Sequence, residues 1–254
     1  MEQLLNSYIA LSPNDVSGAE SAVQLYEKHE ARRMSIIFSH MENGVHIPCT
    51  DGVIISPLAA IGRGTVILPG TILKGTVTIG KDCVIGPHSF VENSKIGDES
   101  VFEFSRCKDA VLKNRVAAGP FAHIRPDSVV GDEARLGNFT EIKNSQIGPG
   151  TKVSHLTYVG DADVGQGVNF GCGVVTVNYD GKNKFRTFID DYAFIGCNTN
   201  LLAPVSVGKF AYTAAGSTIT EDVPPCALAV ARARQVNKEE WAKRKQPYKN
   251  KNPE

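Results

Sequence analysis

The chain has 254 residues, and its 27 lysines and arginines balance 27 aspartates and glutamates, giving a formal net charge of zero at pH 7. No overall basic field is available to hold a nucleic acid or an anionic membrane surface, and no apolar run approaches the ~20 residues needed to cross a bilayer. Aromatic residues are only 7% while glycines number 24, a balance that suits thin, tightly turned β structure better than a helical bundle.

The opening residues, MEQLLNSYIALSPNDV, contain no basic stretch, long apolar run or small-residue cleavage site, so they do not read as an export signal. Six scattered cysteines form no C-x-x-C pair, and no histidine stands at zinc-ligand spacing. Reduced thiols in a cytoplasmic protein without a metal are the simpler expectation. Ser17-Gly-Ala-Glu20 reads as a capping box, and Val23, Tyr26, Arg33, Ile37 and His40 follow at helical spacings. A packing or linker helix is expected over roughly Ser17 to Met41, within an N-terminal segment spanning residues 1–50.

From about Val53 the period changes. Ile61, Ile67, Leu73, Ile79, Ile85 and Val91 stand six residues apart; Ile124, Val130, Leu136 and Ile142 repeat that spacing, as do Ile189, Ile195, Leu201 and Val207. Glycine follows many of them, as in Ile79-Gly80 and Ile195-Gly196. Six residues are too few for a helical repeat but fit a short strand plus a tight corner. Three such units would close a triangular coil of about 18 residues, and coils would stack as parallel strands ~4.8 Å apart. The expected fold is mainly β, a parallel β-helix over residues 51–223 preceded by a helix. Its handedness does not follow from the spacing.

Two five-residue steps, Val91 to Ile96 and Ile142 to Ile147, shorten one side of a coil. Between Gly173 and Phe188 the segment VVTVNYDGKNKFRT, with its Asp180-Gly181 turn signal, is expected to leave the prism as a loop over 173–188, and loops on rigid scaffolds commonly carry function. Pro224-Pro225 is expected to end the solenoid, leaving a basic tail over 224–254 that includes Arg232, Arg234, Lys238, Lys243, Arg244, Lys245, Lys249 and Lys251.

Counting each five-residue step as a full side puts Ile124, Ile142 and Val159 on one face in successive coils. Arg125 and Lys143 then project one above the other, an unfavourable pairing without an anion between them. Tyr158 and His155 fall beside them. This pocket suits a phosphorylated substrate next to a base. The bland alternatives are that the cations pair with Glu141 or Asp127 across the coils and that the histidine is exposed and inert.

The motifs IRP (Ile124–Pro126), NFTEIK (Asn138–Lys143), HLTYVGDA (His155–Ala162) and NYDGKNKF (Asn178–Phe185) closely resemble the acetyltransferase domain of the bacterial bifunctional N-acetylglucosamine-1-phosphate uridyltransferase/glucosamine-1-phosphate acetyltransferases. The resemblance runs from Gly119 through the tail and more weakly back to the helix. It implies a left-handed β-helix of the hexapeptide-repeat transferase family, a homotrimer, and transfer of an acetyl group from acetyl-CoA to glucosamine 1-phosphate. By it, His155 is the general base and Glu141 assists. Arg125, Lys143, Tyr158, Asn169, Asn178 and Lys184 resemble sugar-phosphate ligands; Cys172, Cys197, Ala215 and Arg232 resemble acetyl-CoA contacts. Cys172 stands where alanine is usual and Cys197 where serine is usual, changes that a backbone contact survives. No Gly-rich, Lys/Arg-bearing nucleotide-binding segment is present, so uridylyl transfer is expected from a separate enzyme. Transfer to another amino sugar, and a non-catalytic sugar-phosphate-binding paralogue, are the alternatives.

Overall fold

The computed structural model describes residues 21–245. The first helix, α1 (Ala22–Glu42), is capped by Ser21, whose hydroxyl accepts from the Gln24 N–H at 3.2 Å. The expected capping box at Ser17 lies outside the described residues. Ile37 is fully buried, with Met34 and Met41 packed beside it against the core. Arg33 donates from Nη1 to the carbonyls of Thr50 (2.8 Å) and Val53 (3.1 Å), and so satisfies acceptors at the end of the solenoid that no further coil would pair. The helix is thus the packing element expected, and it covers that open end.

Beyond it the chain forms short strands, mostly two or three residues long, that pair in parallel with the strand one coil on. Ile55 faces Leu73, Leu73 faces Val91, Ile67 faces Ile85 and Ile61 faces Ile79. One side of the prism is a nine-stranded sheet. The other two sides are joined into one 18-stranded sheet, because the nine-residue strands Arg135–Lys143 and Lys152–Gly160 continue around the corner between them. The result is a parallel β-solenoid. Among the described residues no helix is long and apolar enough to cross a membrane.

The hexad aliphatics fill the prism. Leu73, Val91, Ile124, Ile142, Ile195 and Leu201 have no exposed surface, and only Ile61, near the helix-capped end, is partly open. Each contributes ~1.5–3 kcal/mol by burial. The five-residue steps keep register: Ile79 faces Ile96 and Val130 faces Ile147. The shortened corners place Asn93 and Asn144 at φ 46°, a region asparagine tolerates. The following serines bridge coils, Ser94 to the Ala110 N–H (3.1 Å) and Ser145 to the Ala162 N–H (3.0 Å).

Two expectations need correction. The chain does not leave the prism at Gly173: Val175–Val177 is a strand, and Thr176 fills a ladder position opposite Leu201 with no exposed surface. Its hydroxyl accepts from the Gly160 N–H (2.7 Å) and donates to the Gly160 carbonyl (2.9 Å), which lets a threonine stand among aliphatics. The excursion is therefore shorter, from Asn178 to Arg186. Nor do Pro224 and Pro225 end the ladder, since Leu228–Ala229 pairs with Tyr212–Thr213. The prolines occupy a corner, where a missing N–H costs no strand bond. In the tail, α2 (Trp241–Lys245) is exposed; Lys249 and Lys251 lie outside the described residues.

Candidate active site

One corner of the solenoid carries a vertical row of candidate residues. Asn138 pairs in register with His155. The pairs Val153–Phe170, Phe170–Ile195 and Ile195–Thr213 then carry the row on, setting Cys172 after His155, then Cys197, then Ala215. Backbone bonds tie the same corner, Asn198 N–H to the Cys172 carbonyl and Gly216 N–H to the Cys197 carbonyl, both 2.8 Å. Arg232 follows at the last coil, its side chain next to Gly216. All four expected acetyl-CoA contacts therefore stand in one column rising from His155. Four coil steps at ~4.8 Å make a track roughly 19 Å long.

His155 is exposed, and its Nδ1 lies 2.8 Å from the Asn138 side-chain carbonyl. That oxygen can only accept, so Nδ1 carries a proton, and in the neutral ring Nε2 then keeps the lone pair. This tautomer leaves a proton acceptor facing outward. Sequence reading overlooked Asn138, although stepping one coil back from His155 points to it. Glu141 stands three residues further along the same strand, around the corner, and is engaged by Arg125 (Nη1 to Oε1, 2.7 Å) rather than by His155.

The cations form a second group on the adjoining face. Ile124 faces Ile142 and Ile142 faces Val159, so Arg125 and Lys143 stand one coil apart, as counting implied. Tyr158 is in register with Glu141, and its ring lies over Gly160, where any Cβ would overlap it. The excursion brings Lys184 to the same place. A side-chain contact with Lys184, partial burial and the like charge of that amine together hold the Lys143 ammonium below its ordinary range, while Asp161 opposes them. Among the described residues, the ion pair of these three cations is Arg125 with Glu141, while Asp161 acts on Lys143 from a distance. Such a cluster is relieved by a bound anion. Asn169 stands apart, in register with Lys152 on the preceding face, and this single chain does not bring it to the cations.

The excursion is a small built hairpin. Asp180 accepts from the N–H groups of Lys182 (2.7 Å) and Asn183 (2.6 Å), Gly181 takes φ 99°, and Tyr179 bridges to Lys184. Its far end is clamped by Arg186, which bonds both Asp163 oxygens (3.0 and 2.5 Å) and the carbonyls of Ala162 and Asn144. Asn178 is buried and donates its amide to Asp161.

A family model described as bacterial transferase hexapeptide (six repeats) matches residues 58–93. Over 247 residues, 97% of the chain, the sequence is 52% identical to the "Bifunctional protein GlmU" of Geobacillus sp. (strain WCH70), covering 54% of that protein. It is 55% identical over 225 residues to the protein of the same name from Bacillus velezensis, 89% of the chain and 48% of the relative. The chain spans about half the length of the curated relatives it matches. Among solved structures, Arabidopsis UDP-N-acetylglucosamine acyltransferase is 16% identical with a TM-score of 0.41, covering 74% of this chain and 70% of that one; so distant a likeness adds nothing to the solenoid seen directly. The chain belongs to the bacterial hexapeptide-repeat transferases, as a homologue of the bifunctional GlmU proteins over about half their length.

Proposed function

We propose that the chain is a glucosamine-1-phosphate N-acetyltransferase, converting acetyl-CoA and glucosamine 1-phosphate into N-acetylglucosamine 1-phosphate and CoA. The observation that carries this reading is the convergence of Arg125, Lys143 and Lys184 beside an outward-facing histidine at the foot of the Cys172–Cys197–Ala215 column. The motif resemblance and the identity to bifunctional GlmU proteins support it.

The phosphate sits among the three cations, where charge-assisted bonds fix orientation as well as affinity. Asn178 and Tyr158 line the sugar; Asn169 joins them from a neighbouring subunit. His155 Nε2 takes a proton from the amine as the nitrogen attacks the thioester carbonyl. The oxyanion is stabilised by a preorganised donor, for which the backbone N–H of Cys172, one coil from His155, is suited. Collapse breaks the C–S bond, and the imidazolium returns its proton to the CoA sulfur. No covalent enzyme intermediate forms, so Cys172 and Cys197 act as walls of the cosubstrate track.

The working form is a homotrimer in the cytoplasm. Exposed Phe104, Phe121, Phe139 and Leu156 run along the same corner, with successive rings 6.1 and 5.4 Å apart; an apolar stripe of this kind calls for a cover, and a second copy would bring its own residues to the track. Uridylyl transfer is ascribed to a separate catalytic domain or enzyme, because the solenoid among the described residues holds no α/β nucleotide fold.

The test is CoA release, followed with a thiol reagent, from acetyl-CoA and glucosamine 1-phosphate, with glucosamine 6-phosphate as control. Release that needs the 1-phosphate supports the assignment. Equal release with the 6-phosphate points to another amino sugar, and none at all leaves a sugar-phosphate-binding protein.

A further inference from the structure

Asp161 has only 3% of its surface exposed and stands in a corner at φ 50°. One carboxylate oxygen accepts from the Asn144 amide and the other from the Asn178 amide. Its own N–H bonds the Lys143 carbonyl at 3.0 Å, and its carbonyl accepts from the Thr187 N–H at 3.0 Å. The residue thus touches the coil that carries Lys143 and both ends of the excursion that carries Lys184.

An ionised carboxylate only accepts hydrogen bonds, so the group Asn178 turns toward it must be the amide nitrogen. The Asn178 Oδ1 is thereby directed away from Asp161, and it has no hydrogen-bond partner among the described residues. Arg186 secures the same junction through Asp163 and the carbonyls of Ala162 and Asn144. None of these contacts involves the outward faces of Arg125, Lys143 or Lys184.

Building on the acetyltransferase reading, we propose that Asp161 is a positioning residue for sugar binding: it fixes the Asn178 amide with its carbonyl facing the substrate and holds both ends of the Lys184 hairpin. Asn178 then presents an acceptor, which selects a hydroxyl or amine hydrogen on the sugar. Asp161 itself never touches the ligand.

The test uses the full chain with Asp161→Asn and the swap Asp161→Asn/Asn178→Asp. In the single variant the amide at position 161 has one oxygen for two amide donors, Asn144 and Asn178; whenever its nitrogen is the group facing Asn178, that residue flips and offers a donor to the sugar. The Michaelis constant for glucosamine 1-phosphate should rise about 10- to 100-fold, with that for acetyl-CoA unchanged. In the swap, the amide placed at position 161 accepts from Asn144 and donates to the carboxylate placed at position 178. The second oxygen of that carboxylate is again an acceptor for the sugar, so the sugar constant should return most of the way. A merely structural role would lower the active fraction, leave both Michaelis constants alone and gain nothing from the swap. Should the single variant fail to fold, the swap decides: a folded swap with a near wild-type sugar constant supports the assignment, and a sugar constant as poor as that of Asn178→Ala overturns it. If the wild type does not acetylate glucosamine 1-phosphate, the substrate reading fails. Amide hydrogen exchange then still reads the clasp: faster exchange confined to residues 178–187 in Asp161→Asn sustains it, and unchanged exchange overturns it.

Discussion

Replacing His155 and Asn138 separately divides the work of the base from the work of orienting it. General-base catalysis is worth ~10²–10⁴-fold, so His155→Ala should cut kcat by that factor. It should leave the Michaelis constant for glucosamine 1-phosphate within about threefold, because on the proposed reading the phosphate is held by Arg125, Lys143 and Lys184, and threefold is ~0.65 kcal/mol. The single 2.8 Å bond from His155 to Asn138 is neutral and exposed. Such a bond is worth ~1 kcal/mol, or about fivefold in rate. Asn138→Leu should therefore lower kcat roughly fivefold, while Asn138→Asp, still an acceptor, keeps the tautomer and most of the rate. The assay is CoA release at saturating concentrations of both substrates. Two results would refute the reasoning: His155→Ala retaining more than about a tenth of wild-type kcat, or Asn138→Leu losing as much as His155→Ala.

Lys143 titrates below its ordinary value because Lys184 stands against it, so the folded state releases this proton first. Stability therefore rises with pH between the lowered folded value and the unfolded one, and the like-charge cost is complete below the folded value. Lys184→Gln should raise the melting temperature at neutral pH while weakening glucosamine 1-phosphate binding; a lower melting temperature with unchanged binding would contradict this. Ile195→Ala removes a fully buried ladder residue and should cost ~2–5 kcal/mol in denaturant unfolding, with less than about 1 kcal/mol showing that neighbouring coils collapse to fill the gap. Burial pushes the Cys107 thiol up to about 12, whereas Cys172, Cys197 and Cys226 are exposed. Mass spectrometry of alkylated protein should find Cys107 unlabelled, and acetyl-CoA should slow labelling at Cys172 and Cys197 but not at Cys226; equal slowing at all three would remove the column from the cosubstrate track.

The solenoid was legible because each side of a coil needs one inward aliphatic, and that demand leaves a period no other architecture produces. The same counting aligned Arg125 with Lys143 once the short step was treated as a whole side. It failed where the period is hidden. Thr176 looks polar in sequence but fills a core position by bonding Gly160, so the excursion was read as starting too early. Asn178 and Asp161 stand one 17-residue coil apart, in step with the Tyr158–Val175 pair, so counting aligns their positions but does not say that their side chains meet. The pairing of Arg125 with Glu141 was one of the alternatives the stacked cations offered; that Glu141 engages Arg125 and not His155 depends on which way each side chain leaves a strand that turns a corner, a direction spacing does not encode.

The column from His155 to Arg232 makes the solenoid a ruler. On the proposed acetyltransferase reading, chemistry is marked at one coil and the cosubstrate is gripped at coils further on, so the distance between reaction and recognition is counted in whole turns of backbone. On that reading, adding or removing a complete turn on the α1 side of the coil that carries Arg125 changes the length of the rod and nothing that meets the substrates. The same edit between Cys172 and Arg232 moves the grip by one strand spacing, ~4.8 Å, and the acetyl group would no longer arrive at the histidine. Length is therefore free to drift at one end of this molecule and fixed at the other.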